Sequence, residues 1–358
     1  MLEPLPAEIV HADARLHDLH AAIRFSAHLN PENIAEARAA FFAGAEAPPF
    51  VYAPAGWAEE ARELLDGLVV PIFHPLGVEL AAAIAETRAL VVALEHRDPL
   101  SFERLAALAD WLPDDTDPDD VPAAPPAGPL VGDIAADRML ATFRDALRRR
   151  GLDDWQVGWD TVLSSRVLVD SARRSVRVNP AARFRDTDRA GLVAHEIDVH
   201  ATRGNNGEAQ PLHIFATGLA RSLLTEEGLA IVAEERVRAL SPGFVARQSL
   251  LIRAVRLART MGFRDLYEAL LPHTGRGGAW QIALRVKRGL ADPGAPGVYA
   301  KDTVYLRGYR RVRAWLDAGG DLRLLYVGKV GVHHPVGAWI RAGWVSPGFV
   351  PDMWERAA

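Results

Sequence analysis

Two histidines five positions apart are the feature that most constrains how this chain can fold. His195 and His200 lie in an apolar-periodic stretch that reads Ala-His-Glu-Ile-Asp-Val-His. On a regular α-helix, residues five apart differ by roughly 140° around the axis, whereas residues four apart differ by about 40°. The two rings would therefore point to different sides unless a π-bulge absorbs the extra residue. If both rings bind one ion, the helix must be widened between Glu196 and His200.

A pair of acids at the start of a later apolar segment completes the motif. Glu226 and Glu227 follow the second histidine by less than thirty residues. Two imidazoles and one carboxylate around a vacant fourth position are ligands of catalytic Zn²⁺, and a glutamate beside the first histidine can serve as the general base. Together the motifs predict a zinc peptidase in which Glu196 is the base. The competing interpretation is a solvated helix that carries these side chains without binding metal.

The residues alone leave open which of the two acids binds the metal. Glu227 shares a helical face with Ile231 and Glu234, whereas Glu226 lies about 100° away, and this difference favours Glu227 only weakly. Glu234 lies two turns further along and could accept a hydrogen bond from a ligand imidazole, a contact that metal-binding histidines normally make. The alternative for Glu234 is a solvated surface acid.

These motifs resemble those of a known metallopeptidase family. Residues 195–200 and 225–230 are similar to motifs of the microtubule-associated tyrosine carboxypeptidases, whose bacterial relatives are called flavohemoglobin expression-modulating QEGLA-motif proteins. Other segments that look like this family extend the resemblance over most of the chain: Leu29–Pro31, Pro49–Tyr52, Asn206–Gly207, Gln210–Leu212, Gly218–Ala220, Lys301–Gly308, Gly320–Leu322 and Leu325–Lys329.

The chain departs from the family pattern at two places. Glu226 stands where the QEGLA motif has Gln, which creates the two adjacent acids. The metal-binding segment has Ile-Asp-Val where Gly-Thr is expected before the second histidine, so that Asp198 adds a charge near the site.

The resemblance implies a specific set of site residues and a reaction. It implies that His195, His200 and Glu227 bind Zn²⁺ and that Glu196 is the catalytic base for water activated by the ion. It also implies a carboxypeptidase that removes the C-terminal residue of a peptide or protein. The C-terminus of a peptide or protein is therefore the expected partner.

A carboxypeptidase also needs groups that bind the terminal carboxylate and the developing oxyanion. Arginine or lysine suits the carboxylate, and a phenol or ammonium suits the oxyanion. The candidates for substrate binding are Arg203, Lys301 and Arg307, and the candidate oxyanion donor is Tyr305. Each could equally serve as a structural ion pair or a core phenol. Only three lysines occur, and Lys301 and Lys329 both lie inside the family-like segments.

The predicted fold class is α+β. Residues 1–112 are predicted to form a mainly helical region, residues 113–129 an Asp- and Pro-rich linker, and residues 130–358 the zinc metallopeptidase domain. In that domain, alternating apolar and polar residues predict a short sheet. A small sheet, a metal-binding helix and a second helix with the third ligand are, by analogy, the layout of a zincin-like domain.

Helices are predicted in the first region at Pro6–Ala27, Glu32–Phe42, Trp57–Leu68, Val78–His96 and Phe102–Leu112. Strands are predicted in the second at Trp155–Trp159, Arg166–Asp170 and Ser175–Asn179.

Composition argues against several classes of protein and site. The chain has 358 residues, enough for one large or two ordinary domains. Its formal net charge of −5 gives no reason to expect nucleic acid or an anionic membrane as partner. It has no cysteine, so that disulfides and thiolate metal ligands are excluded. The first residues do not resemble a signal peptide, and no apolar run approaches the roughly 20 residues of a membrane span. A cytoplasmic location is the expectation.

Two alternative functions compete with the peptidase. The chain could be a regulatory protein that binds metal without turning over peptide, or it could be a nonproteolytic amidohydrolase. His195, Glu196, His200 and the downstream acids are all retained, which favours an active enzyme over a decayed one.

Overall fold

The N-terminal part of the chain is helical. The computed structural model describes residues 4–117, 132, 134–161, 163 and 165–355. The N-terminal helices are α1 (Ala7–Ala22), α2 (Phe25–Leu29), α3 (Ile34–Phe42), α4 (Ala58–Asp66), α5 (Pro75–His96) and α6 (Pro99–Leu108). They confirm the helical character predicted for this region. The single helix predicted over Pro6–Ala27 is wrong, because Ile23 is extended (φ −109°, ψ 122°) and separates α1 from α2.

Two small sheets follow. The strands are β1 (Ile134–Ala135), β2 (Gln156–Trp159), β3 (Val167–Asp170), β4 (Ser175–Val178) and β5 (Arg183–Phe184). Three of them form a sheet in the order β2–β4–β3, in which β2 runs parallel and β3 antiparallel to β4. The remaining pair, β1 and β5, is antiparallel. The three predicted strands are confirmed to within one residue at each end, and the α+β class is confirmed. The zincin-like assignment stays a prediction.

Helices dominate the rest of the chain. They are α7 (Ala136–Arg149), α8 (Asp188–Leu192), a π-helix (Val193–Ala201), α9 (Thr202–Glu208), α10 (Ile214–Thr217), α11 (Leu223–Arg236), α12 (Phe244–Ala258), α13 (Phe263–Lys287), α14 (Val304–Asp317), α15 (Leu322–Leu325) and α16 (Val336–Arg341), with short 3₁₀ helices at Lys301–Thr303 and Asp352–Trp354. The backbone of α13 is non-helical at Gly275 (φ 67°), which divides it into two helical segments. Within the described ranges, no helix combines the length and the apolarity that a bilayer crossing requires.

The N-terminal helices share a hydrophobic core with the helices that carry the histidines and acids. Ile9 of α1 and Leu80 of α5 belong to the same buried cluster as Val199 of the π-helix and Leu229 of α11. Burial of this shared apolar surface fixes the N-terminal helices against the site. The division of the chain at residues 113–129 stays a prediction, and residues 118–129 of the predicted linker lie outside the described part.

Helices α11 and α14 touch through their backbones at two glycines. A Cβ atom on Gly228 would lie 2.2 Å from the carbonyl carbon of Gly308, and one on Gly308 would lie 2.0 Å from the carbonyl oxygen of Leu224. Neither position has room for a side chain, because real Cβ contacts are not that short. The crossing therefore fixes Glu227, which precedes Gly228, against α14.

Gly308→Ala should therefore destabilise the protein although alanine favours helices. The added methyl group forces α14 away from α11, and overpacking of this kind costs roughly 1–3 kcal/mol. Gly277→Ala is the matched control, because a Cβ at Gly277 meets nothing within 4 Å. Denaturant unfolding should show a loss for Gly308→Ala and a neutral or slightly positive change for Gly277→Ala. Equal effects of the two substitutions would contradict the close crossing.

Candidate metal centre

The segment that carries both histidines is a π-helix over Val193–Ala201. The predicted widening between Glu196 and His200 is therefore confirmed. The backbone N–H of Thr202 donates to the carbonyl oxygen of Ile197, five residues back, and the Thr202 hydroxyl donates to the same oxygen at 2.8 Å. The two imidazole rings consequently lie on one side of the helix, with their centroids 4.8 Å apart.

The two rings face the same carboxylate. Glu227 Oε2 lies 3.7 Å from His195 Nε2 and 3.8 Å from His200 Nε2. One nitrogen from each ring and one oxygen of Glu227 all lie within 4.8 Å of one another. Among the described residues, this is the group of three or more such side chains that could hold a metal ion.

Each imidazole is oriented by a second carboxylate. The Nδ1–H of His195 donates to Glu234 Oε1 at 2.7 Å, and that of His200 donates to Glu226 Oε1 at 2.7 Å. With Nδ1 occupied, Nε2 is the ring nitrogen of each histidine that faces the shared position and can bind a metal ion once it is deprotonated. The two adjacent acids thus have different places, since Glu227 faces both rings and Glu226 lies behind one of them. Glu234 contacts His195 directly, which does not fit the alternative of a solvated surface acid.

The surrounding charges act strongly on both histidine–carboxylate pairs. Burial opposes protonation of His195, but the hydrogen bond to Glu234 and the charges of Glu196, Glu234 and Glu227 outweigh it and raise the pKa of His195 to about 9. Burial likewise opposes ionisation of Glu226, but the charges of Arg203 and Lys329 and the contact with His200 outweigh it and lower its pKa far below the usual range. Glu226 is therefore an anion at neutral pH.

Arg203 supports the site from within the protein core. Its side chain is fully buried and forms an ion pair with Glu226. Its other nitrogens donate to the backbone oxygens of Leu325, Gly328 and Val330 at 2.6–3.1 Å. Arg203 thus has no exposed surface with which to contact a substrate, each of its three nitrogens is already bonded, and it acts on the site through Glu226.

The remaining predicted residues lie in different surroundings. The charge of Glu227 is the strongest influence on the Tyr305 phenol, and together with burial and the charge of Asp302 it holds the pKa of Tyr305 well above its ordinary value. Tyr305 is therefore a protonated phenol at neutral pH. Lys301, in the 3₁₀ helix before α14, is half-buried. No hydrogen bond or ion pair of the described residues joins it to the histidines or Glu227.

Arg307 is tied to acids on the other side of α14. It is 6 % exposed, donates to the backbone oxygen of Asp110 at 2.6 Å and pairs with Asp117 at 2.9 Å. The structure therefore does not bring Arg307 to the group formed by His195, His200 and Glu227.

Two cations near the site have no role in the sequence-based interpretation. Lys329 Nζ lies 3.6 Å from Glu226 Oε1, and its side chain is 14 % exposed. Arg285 binds both carboxylate oxygens of Asp302 at 2.8 Å. The sequence provides one indication of Lys329, because it is one of only three lysines and lies inside a family-like segment. Arg285 is one of many arginines, so that nothing in the sequence distinguished it.

The charge of Asp198, the unexpected residue between the histidines, is compensated. Asp198 is 3 % exposed and forms an ion pair with Arg150, which follows α7. Asp198, which departs from the family pattern, is therefore paired with Arg150 and adds no unpaired charge to the site.

Comparison with known proteins places this geometry in context. A protein-family model described as microtubule-associated tyrosine carboxypeptidase matches residues 123–358. Microtubule-associated tyrosine carboxypeptidase 1 of mouse and that of human are each 32% identical over 162 residues, which is 44% of this chain and 34% of the relative. The matched stretch thus spans about a third of the length of these relatives. Helices α1–α6 precede the residues that the family model matches.

Arg203→Met should be strongly destabilising, because it leaves the buried Glu226 carboxylate short of its counter-ion and removes a donor from the backbone oxygens of Leu325, Gly328 and Val330. Breaking a buried ion pair from one side costs about 3–5 kcal/mol. Adding Glu226→Gln to this variant should recover part of the loss, which a denaturant-based double-mutant cycle measures. Arg310→Met, at an exposed position on α14, is the control and should have little effect. Strict additivity of the two buried substitutions would rule out the coupling.

Proposed function

The chain belongs to the microtubule-associated tyrosine carboxypeptidase family, and we propose that it is itself a zinc-dependent carboxypeptidase. Family membership supports a peptidase of the carboxypeptidase type. The observation that carries the zinc proposal is the convergence of His195 Nε2, His200 Nε2 and a Glu227 oxygen within 4.8 Å, with both Nδ1 atoms held by carboxylates. The expected substrate is the C-terminus of a peptide or protein.

The donor set suits zinc. Two imidazole nitrogens and one carboxylate oxygen with a fourth position left over are typical of catalytic zinc in peptidases. Two ligands of a tetrahedral zinc ion lie about 3.4 Å apart, so that the distances of 3.7 and 3.8 Å to Glu227 Oε2 require only a small contraction. When bound, Zn²⁺ would act as a Lewis acid that polarises the scissile carbonyl and makes water nucleophilic near neutral pH.

Glu196 is the proposed general base. It belongs to the π-helix next to His195 and is half-buried, whereas Glu226 and Glu227 are only 4 % and 8 % exposed. Of these carboxylates, Glu196 is therefore the one that solvent reaches most readily. We expect its carboxylate to accept the proton of the attacking water and to deliver that proton to the amine that leaves.

Tyr305 is the proposed donor to the oxyanion that develops on the scissile carbonyl. Because the charge of Glu227 and burial raise the pKa of this phenol above its ordinary value, it keeps its proton at neutral pH. A protonated phenol held rigidly by α14 can donate a hydrogen bond without reorganisation during the reaction, which is the usual source of oxyanion stabilisation.

Glu196→Gln tests the proposed function. The substitution keeps the size of the side chain but removes the base, so that the variant should bind zinc in a 1:1 ratio and lose roughly 10²–10⁴-fold in turnover. Metal analysis and the release of terminal amino acids from a peptide library measure the two quantities. His200→Ala removes a proposed ligand and should lose both zinc and activity.

The same experiment separates the alternatives. A fully active Glu196→Gln variant removes Glu196 from the chemistry. A wild-type protein that holds zinc but trims no peptide supports a metal-binding regulatory protein, and cleavage restricted to non-peptide amides supports an amidohydrolase. A wild-type protein that binds no zinc overturns the proposal.

A further inference from the structure

Arg285 is a cation that one buried carboxylate holds in place while part of its side chain stays open to solvent. It lies in the last turn of α13, and its Nε and Nη2 atoms each donate to one oxygen of Asp302 at 2.8 Å. The side chain of Asp302 is only 1 % exposed, whereas that of Arg285 is 41 % exposed. The two bonds use two of the five N–H groups of the guanidinium. Because they also fix its plane, Arg285 loses little conformational freedom when it binds a second carboxylate.

The charges around Asp302 do not balance. Arg288 Nη2 lies 3.7 Å from Asp302 Oδ1, so that two guanidinium groups share this one carboxylate. Burial opposes ionisation of Asp302, but the charges of Arg285, Arg288 and Lys301 and the hydrogen bonds from Arg285 outweigh it and lower its pKa to about 2. One negative charge thus faces three positive ones at neutral pH. The excess positive charge favours an anionic group of a ligand at this place.

Tyr305 connects this cluster to the metal group. It lies in the first turn of α14, three residues after Asp302 and three before Gly308, where α14 crosses α11 beside Glu227. Residues three apart share a helical face, so that Tyr305 lies on the face of α14 that meets α11. The Arg285 guanidinium contacts the Tyr305 phenol, and the charge of Glu227 acts strongly on the same phenol. Arg285 is therefore linked through Tyr305 to Glu227, the carboxylate that both Nε2 atoms face.

The position of Arg285 fits the α-carboxylate of a substrate. In a carboxypeptidase substrate one residue separates the scissile carbonyl from the terminal carboxylate, and consecutive Cα atoms lie about 3.8 Å apart. If Tyr305 donates to the scissile carbonyl oxygen, a cation that contacts Tyr305 lies within the reach of that one residue. Arg285 meets this condition. Arg203 and Arg307 do not, because the first is fully buried and the second pairs with acids away from the metal group.

We propose that Arg285 binds the α-carboxylate of the substrate's C-terminal residue and thereby confines cleavage to the last peptide bond. This inference rests on the carboxypeptidase function proposed above. Every free C-terminus carries this carboxylate, so that the anchor selects the end of a chain and not a particular side chain. A peptide that continues past this point, or that ends in an amide, would desolvate the guanidinium without supplying a charge to it.

Arg285→Met tests the anchor. Peptides of one sequence that end in a free carboxylate or in an amide are incubated with zinc-loaded protein, and kcat and KM are measured for each. The wild type should cleave the acid and discriminate against the amide. The variant should lose about 10–100-fold in kcat/KM for the acid, mainly through KM, and should cleave acid and amide at similar rates. Its zinc content should stay at the wild-type level, whereas a purely structural role would lower kcat/KM for both substrates equally.

Arg285→Lys keeps the test decisive if Arg285→Met does not fold. Lysine keeps a positive charge beside the buried Asp302 carboxylate but lacks the planar guanidinium. The ratio of kcat/KM for acid and amide should therefore fall several-fold and stay above the ratio for Arg285→Met. A wild-type ratio in Arg285→Lys would contradict the anchor. Arg310→Met removes an exposed arginine of α14 and is the control, which should leave the ratio unchanged.

The outcomes separate this inference from the proposed function. If the wild type trims peptides but Arg285→Met keeps the preference for the acid, the inference is overturned and the carboxypeptidase stands. The same holds if Lys301→Met abolishes the preference and Arg285→Met does not, since the anchor is then Lys301. If the wild type trims nothing, the proposed function falls, and calorimetry with the same two peptides decides about the anchor alone. Tighter binding of the acid, weakened by Arg285→Met, would support it, and equal binding of acid and amide would contradict it.

Discussion

One extra residue in one helical turn is the constraint on which the site depends. The π-helix turns His195 and His200 toward a common point although five positions separate them. A widened turn is rarer than a regular one, and here contacts with other elements hold it in place. Glu234 and Glu226 of α11 each bind one ring from behind, and Thr202 occupies the carbonyl oxygen of Ile197. Helix α11 therefore supplies both Glu227, the carboxylate that faces the two rings, and the carboxylates that orient them.

The charge on Glu226 ties the site to the C-terminal part of the chain. Its buried counter-ion Arg203 also donates to the backbone of residues 325–330. Two side chains that follow Arg203 in the chain make similar contacts. The Asn206 side chain donates to the backbone oxygen of Tyr326 at 2.6 Å, and the Gln210 side chain donates to that of Val327 at 3.1 Å. The family-like segments at 206–212 and 325–329 thus contact each other, and their shared role is to hold the helix and the acid behind His200.

The sequence predicts best what depends on local spacing. The widened turn follows from the interval between His195 and His200, and the three strands follow from alternation of apolar and polar residues. The different roles of Glu226 and Glu227 are only weakly indicated, because the helical face of a residue does not reveal which neighbouring helix it meets. Membership of the carboxypeptidase family is confirmed, whereas the link to the flavohemoglobin-modulating proteins stays a prediction.

What the sequence does not reveal depends on contacts between distant segments. Arg203 and Arg307 have the right charge for a substrate carboxylate, but each is occupied by acids or backbone oxygens that only the folded chain brings near. The cavity that Trp111 and Lys329 line likewise joins α1, α5 and α6 to residues 217–226. No motif marks such a cavity, because its walls come from residues up to about three hundred positions apart.

The most direct test of the central claim is a crystal structure of the zinc-loaded protein with anomalous diffraction measured at the zinc edge. The account predicts one strong peak bound by His195 Nε2, His200 Nε2 and a Glu227 oxygen at about 2.0–2.2 Å, on a helix that keeps its π-turn. A regular α-helix with diverging rings, or zinc bound elsewhere or by Glu226 in place of Glu227, would contradict it.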